Sequence, residues 1–500
     1  MRSKLGGKKQ GATWLVMAIS LAMLIMTGVS PASASSRGST ASVMAAPSHI
    51  TIVVYPNGRN DTSNLQLAFN TCVSFGPWCT VQLVPGTYHI AQITVYGFEG
   101  SFVGAGQGMT IVKGLPNLPS PAAAYNTSST PFWAGLPGPN NPWPELFTFV
   151  NGTFRISGMT VTDAYQNPTM GWNYLGANYT ALWASIGITG EEATVAIDHV
   201  TMIGGPGDYG IAPYLFNDVE ASIAYGGEFL PPGWSNPYAF IPLAGSLSVT
   251  DSMFHYVDTA VGVASVVNAT MEVCFNTVTV SSVTWGFIDM SNSQAVLCGN
   301  QASNVRVGVG AIVLQSLYAQ DQPSAVYIIG NVFRDVNSDA NGVWLDDFGP
   351  SNFGTPPTLS AVLSGNVIQT NTSCGCYGTP PGVVPAIWSV SLESVIISYN
   401  TLQGGAGIVL AGSPGVISGN TLRGNIVGVE LYSTNFTEVT NNVIRNSATY
   451  GIALFAGSGN NTVAHNYVKN SGQYDLYWDG TGSNNVWIGN HFKTSSPPGL

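Results

Sequence analysis

The sequence predicts an all-β chain wound as a parallel β-helix solenoid, and two observations carry that reading. Asn276, Asn300, Asn331, Asn366, Asn400, Asn420, Asn442, Asn466 and Asn490 each follow one short apolar strand and precede another, at spacings of 24, 31, 35, 34, 20, 22, 24 and 24 residues. The shorter spacings suit one turn built of three brief strands and three bends. The flanking strands also alternate apolar and polar residues, and no unit this short buries its inner face alone, so neighbouring units must stack. A β-propeller needs longer blades, and the consensus of leucine-rich repeats is absent.

The repeated Asn has a physical reason. Stacking brings equivalent residues to about 4.8 Å, so inward Asn side chains would form a hydrogen-bonded ladder. Asn also tolerates the left-handed backbone of a bend. Upstream, "FRISGMTV", "VAIDHVTM" and "SVTDSMFHY" repeat the strand without its Asn, at Met159, Val200 and Ser252, so the array spans most of the chain.

The chain opens differently. Lys4, Lys8 and Lys9 precede an apolar run from Trp14 to Val29, and "PASA" closes it at Ala34. This reads as a secretory signal over residues 1–34, with an uncleaved anchor as the alternative. Residues 35–47 read as a Ser/Ala-rich linker, and 48–500 as the solenoid. Loop insertions are expected near 114–147, 163–185, 204–245, 346–360 and 370–385. A secreted or cell-surface monomer is expected.

Charged residues make up 8% of the chain, against about 25% in ordinary globular domains. The net charge is -11, and four of the 14 Lys and Arg lie in the signal. Such acidity argues against nucleic acid or anionic membrane as partner. With few ion pairs to lose, the fold should tolerate acid; a melting temperature that collapses between about pH 6 and 3 would contradict this.

Six cysteines in a secreted chain suggest disulfides. Cys274 and Cys298 hold equivalent places 24 residues apart, so stacking predicts a bridge between them. Cys72 and Cys79 are close in sequence. Cys374 and Cys376, in "SCGCYG", are too close for an easy bridge and could be free, metal-binding or strained; with no His or third Cys nearby, a constrained loop is the favoured reading.

The stretch "DTSNLQLAFNTC…TVQLVPGTYHI…GSFVGAGQGMTIVKG" resembles the N-terminal cap of pectin-lyase-like right-handed parallel β-helix proteins, and the Asn-rich coils resemble the generic repeat shared with NosD-like proteins. The resemblance covers roughly Ile50 to Lys493. It implies a single-stranded right-handed parallel β-helix, plugged at its N-terminal end by a capping helix at about Ser63 to Cys72. It does not fix an activity, because this fold hosts lyases, hydrolases, epimerases, esterases and non-catalytic surface proteins.

Within the coil motif Gly-apolar-x-Leu-x, the x positions face outward. The outer track reads Trp344 and Asp346, Val409 and Ala411, Glu430 and Tyr432, Ala453 and Phe455, Tyr477 and Asp479, with Trp388 on the intervening coil. Flat rings stack on sugar faces, while carboxylates bond hydroxyls or act as acid and base. This predicts substrate binding by Trp344, Trp388, Tyr432, Phe455 and Tyr477; outward strand positions also favour aromatics for packing alone. Asp346 and Asp347 in "GVWLDDFGP" resemble the paired aspartates of polygalacturonases, but that family's Asn-Thr-Asp, His-Gly and Arg-Ile-Lys elements are missing. A solvated or calcium-binding turn is the alternative. Glu430 and Asp479 form a second candidate pair two coils apart, roughly 9–10 Å along the axis, near the separation of an inverting glycosidase.

"GDYGIAPY" from Gly207 is similar to the Tyr-Gly-Ile-Asp-Pro-His signature of alginate epimerases and lyases, but Ala212 stands for the acid and Tyr214 for the His. Only Tyr209 remains. Trp133, Trp143, Trp234 and Tyr238 lie in aromatic-rich insertions that would wall a groove or cover the solenoid. Arg334, Arg423, Arg445, Lys469 and Lys493 each sit three residues after a ladder Asn, as a solvated face or a path for a polyanion. His465 and His491 fall on different tracks, and no metal-ligand spacing occurs; no cofactor is expected beyond the calcium alternative. The functional expectation is binding or cleavage of extracellular polysaccharide by a hydrolase or lyase, against a non-catalytic surface binder or a purely structural spike.

Overall fold

The computed structural model describes residues 49–115, 145–162, 172–174, 177–179, 184–204, 221–226, 228–229, 240–241, 243–313, 323–336, 342–347, 356–370 and 385–500. The expected signal and linker, Trp133, Trp143, Tyr209, Ala212, Tyr214, Trp234, Tyr238, Cys374, Cys376 and most of the expected insertions lie outside these residues.

The described chain is a parallel β-helix. In the regular C-terminal coils, each turn has one strand before the ladder Asn, one after it and a third beyond. Gly415–Ser418, Thr421–Arg423 and Val427–Tyr432 form one such turn. Each strand pairs in parallel with its equivalents above and below: Val416 with Glu438, Leu422 with Ile444, and Val429 with Ile452. Three sheets thus run the length of the solenoid. Their inward residues, among them Ile417, Leu422, Val429 and Leu431, are essentially inaccessible to solvent. Burying each such side chain contributes about 1.5–3 kcal/mol, which lets three- and four-residue strands persist.

The N-terminal end is plugged by helix α1 (Thr62–Val73). Leu65 and Phe69 point into the coil and are fully buried. The Phe69 ring meets those of Phe98, Phe102, Phe147 and Phe149 edge-on, at centroid distances of 5.2, 5.0, 6.4 and 5.7 Å. Cys72, in the last turn, is bridged to Cys79. Cys274 and Cys298 lie opposite each other on adjacent strands and are bridged, as their equivalent places predict.

The ladder is continuous from Ser252 to Asn490. Each Asn Oδ1 accepts both the backbone N–H and the side-chain Nδ2 of the preceding Asn; for Asn420 these come from Asn400 at 2.8 and 3.0 Å. Its own Nδ2 donates to Ile397 O and to Asn442 Oδ1. One expectation is corrected here. The ladder Asn does not adopt the left-handed backbone; the residue before it does, as at Phe275, Gly299, Tyr399, Gly419, Asn441 and His465. The Asn is selected for its paired donor and acceptor, while the bend falls to its neighbour.

Candidate functional site

Strand register converts the expected outer track into two columns on the third sheet. Trp344 stacks on Trp388, then Val409, Glu430, Ala453 and Tyr477 follow in order. Beside them run Asp346, Val390, Ala411, Tyr432 and Phe455. The register of Trp388 is thereby fixed directly against Trp344.

Aromatic side chains form two clusters along these columns. The Trp344 and Trp388 rings stack at 5.5 Å with an interplanar angle of 14°. Farther along, Tyr477 stacks on Tyr450 at 4.5 Å and meets Phe455 at 5.3 Å and Tyr474 at 6.1 Å. Tyr432 stands beside this cluster, half exposed. Tyr450 and Tyr474 were missed in the sequence reading. They pair across neighbouring strands, and the sequence signal was their equal place in "TYGIAL" and "QYDLYW", ahead of the motif that defined the track.

The four candidate carboxylates divide by environment. Asp346 is only 7% exposed, and its Oδ1 has no hydrogen-bond partner among the described residues. Burial pushes its pKa up to about 7; the nearby Trp344 indole opposes that shift and the Asp347 charge adds to it. The indole N–H favours the charged carboxyl by proximity, without the geometry of an ordinary hydrogen bond. Glu430 is half buried, and burial likewise raises its pKa. Both can therefore hold a proton where an ordinary carboxylate has lost it.

Asp347 and Asp479 are engaged otherwise. Asp347 is fully buried, and its Oδ2 accepts the backbone N–H groups of Thr358 at 2.6 Å and Leu359 at 3.1 Å. Neighbouring strand residues face opposite ways, so the adjacent aspartates do not converge on one substrate or one calcium ion. Asp479 closes a turn. Its Oδ2 accepts from Ala456 N, and its Oδ1 from the N–H and hydroxyl of Thr481. Burial works to raise its pKa, but those hydrogen bonds outweigh it and leave the pKa lowered. In each expected pair, Asp346/Asp347 and Glu430/Asp479, one member accepts backbone N–H groups. The remaining two, Asp346 and Glu430, lie three coils apart, roughly 14 Å along the axis, which is too far to flank one glycosidic bond.

Among the described residues, no group of three or more His, Cys, Asp or Glu side chains could hold a metal ion. No helix among them is long and apolar enough to cross a membrane.

A family model described as "Right handed beta helix region" matches residues 318–492. The fold is that of a right-handed parallel β-helix. Similar solved structures include the catalytic unit of a thermostable GH87 α-1,3-glucanase from Streptomyces thermodiastaticus strain HF3-3, at 12% identity and a TM-score of 0.43, covering 91% of this chain and 71% of that one. The periplasmic alginate epimerase AlgG is similar at 12% identity and 0.41, covering 81% and 78%. The A-module of the mannuronan C-5 epimerase AlgE4 from Azotobacter vinelandii reaches 0.34 at 12% identity, covering 89% and 99%. Similarities of this degree carry no argument about chemistry. A sequence comparison with curated proteins finds no match.

Proposed function

We propose that this β-helix protein is secreted and binds extracellular polysaccharide along the outer face of its third sheet. The observation that carries the reading is the parallel Trp344–Trp388 pair with the Asp346 carboxyl on the neighbouring column. Stacked indoles offer flat apolar faces to pyranose rings, and a carboxyl beside them bonds the hydroxyls at the ring edge. The Tyr450, Phe455, Tyr474 and Tyr477 cluster extends the platform, with Tyr432 at its margin and Glu430 between the two aromatic groups. A linear glycan lying parallel to the solenoid axis would touch both clusters.

In this reading Asp346 is the group suited to protonate a leaving oxygen, because burial keeps its proton near neutral pH. The wide Asp346–Glu430 separation favours the second reading, a glycan binder that does not cleave. Affinity electrophoresis against neutral and uronate glycans tests binding, with Trp344→Ala/Trp388→Ala expected to lose retardation. Incubation with the retained glycans, followed by assays for reducing ends and for ultraviolet absorbance of unsaturated products, separates the readings. Product formation abolished by Asp346→Asn supports cleavage. Binding without product supports the binder, and no retention of any glycan removes the proposal.

A further inference from the structure

The second sheet, formed by the strands that follow the ladder Asn, carries a separate feature. On its outer face Gln369, Gln403, Arg423, Arg445 and Lys469 stack directly upon one another. Lys493 continues the line beyond the Tyr467–His491 bridge, and Arg334 lies one coil before Gln369. Four of the 14 Lys and Arg precede residue 10, and five of the remaining ten lie on this one line.

Arg423, Arg445 and Lys469 stand one rung apart, about 4.8 Å. Like charges directly opposite on neighbouring strands repel and destabilise a sheet. None of the three forms an ion pair with a carboxylate among the described residues, although acids outnumber bases 25 to 14 in the chain. Arg445 and Lys469 are also held over the sheet. Arg445 Cζ lies 5.1 Å and Lys469 Nζ 4.7 Å from the centroid of Tyr467, whose ring stacks on His491 at 4.9 Å. Cation–π contact of this kind fixes the cationic groups in place.

We propose that this face binds a linear anionic polysaccharide bearing carboxylates on successive sugars, a uronate polymer, extended along the solenoid axis. An extended pyranose chain advances by a distance close to one rung, so the carboxylates on its sheet-facing side fall in register with the row of Arg423, Arg445 and Lys469. The stacked glutamines then serve its hydroxyls. A narrow single chain touches this row alone, whereas a membrane or a nucleic-acid duplex would also face the acidic remainder of the protein and be repelled. The site is on a different sheet from the aromatic track and does not rest on it.

The test compares wild type with Arg423→Gln/Arg445→Gln/Lys469→Gln for binding to polygalacturonate and to alginate across a salt series. Wild type should bind with a logarithmic salt slope of about -2, and the triple variant should bind at least about tenfold more weakly at low salt with a slope near zero. All three side chains are at the surface and their mutual repulsion is relieved in the variant, so its melting temperature should be no lower than that of wild type, and Trp344→Ala/Trp388→Ala should retain the salt-dependent component. Equal binding by the triple variant, or no polyuronate binding by wild type, overturns the proposal. So does equal or tighter binding to duplex DNA or to vesicles of anionic phospholipid.

Discussion

Trp388 lies one rung from Trp344, its ring 5.5 Å away and nearly parallel, and together they form a stacked indole pair on the outer face of the third sheet. The backbone ladder sets the spacing of the two stacked rings. Replacing Trp388 alone with Ala should weaken binding of the retained glycan by about tenfold, a loss near 1.4 kcal/mol. Isothermal titration calorimetry of single and double variants checks this; wild-type affinity in the double variant would exclude the pair from binding.

The pKa of Asp346, pushed up to about 7 by burial, has a stability consequence. Between the unfolded carboxyl value near 4 and about 7, the native state binds the extra proton, so this residue makes stability fall as pH rises. Above about pH 7 the full penalty applies; below about pH 4 none does. Asp346→Asn should therefore stabilise the protein at pH 8, by at most about 4 kcal/mol, and be neutral at pH 4. Urea denaturation at both values measures the difference, and a gain of equal size at both would contradict the assignment.

Asn420 has no substitute in its rung. Removing its side chain leaves the Asn400 N–H buried without its acceptor. Asn420→Ala should cost about 1–3 kcal/mol, and Asn420→Asp should not recover it, since a carboxylate cannot donate to Ile397 O or Asn442 Oδ1. Thermal unfolding of the two variants decides whether the amide or merely the side-chain volume matters.

Gly419 and Gly424 separate backbone strain from crowding. Both have left-handed backbone, φ +67° and +64°. A Cβ at Gly424 would meet open space, whereas one at Gly419 would lie 2.8 Å from the Tyr399 ring. Gly424→Ala should cost about 1–2 kcal/mol, and Gly419→Ala clearly more. Adding Tyr399→Ala to Gly419→Ala should remove the excess; persistence of the excess would place its cause elsewhere.

The solenoid was legible in the sequence because its physics repeats. One inward Asn and alternating strands recur often enough to give both period and facing. The outer track followed for the same reason, since alternation assigns Trp344, Glu430 and Tyr477 to one side. What alternation does not encode is the fate of a carboxylate. Asp347 is taken by the backbone of Thr358 and Leu359, beyond the end of its own strand. Asp479 is taken by Ala456, a coil earlier, and by Thr481 in its own turn. Their sequence neighbourhoods resemble that of Asp346, yet burial raises the pKa of Asp346 and of Glu430, while hydrogen bonds lower that of Asp479. The 35- and 34-residue coils also hid the place of Trp388, because a spacing that varies gives no register.

The ladder also has a direction. Every rung borrows its acceptor from the coil that follows: Asn442 waits on Asn466, and Asn466 on Asn490. A chain leaving the ribosome N-terminus first therefore always carries one unfinished coil at its growing end, completed only when the next has been made. Truncation is unequal for the same reason: loss of the last coil strips Asn466 of the Oδ1 that accepts both its N–H and its amide, while loss of an early coil removes the donors to the next Asn Oδ1 and the carbonyl that accepts its Nδ2, as Ile397 O does for Asn420. The molecule is built, and would be dismantled, as a queue rather than a stack of equal parts.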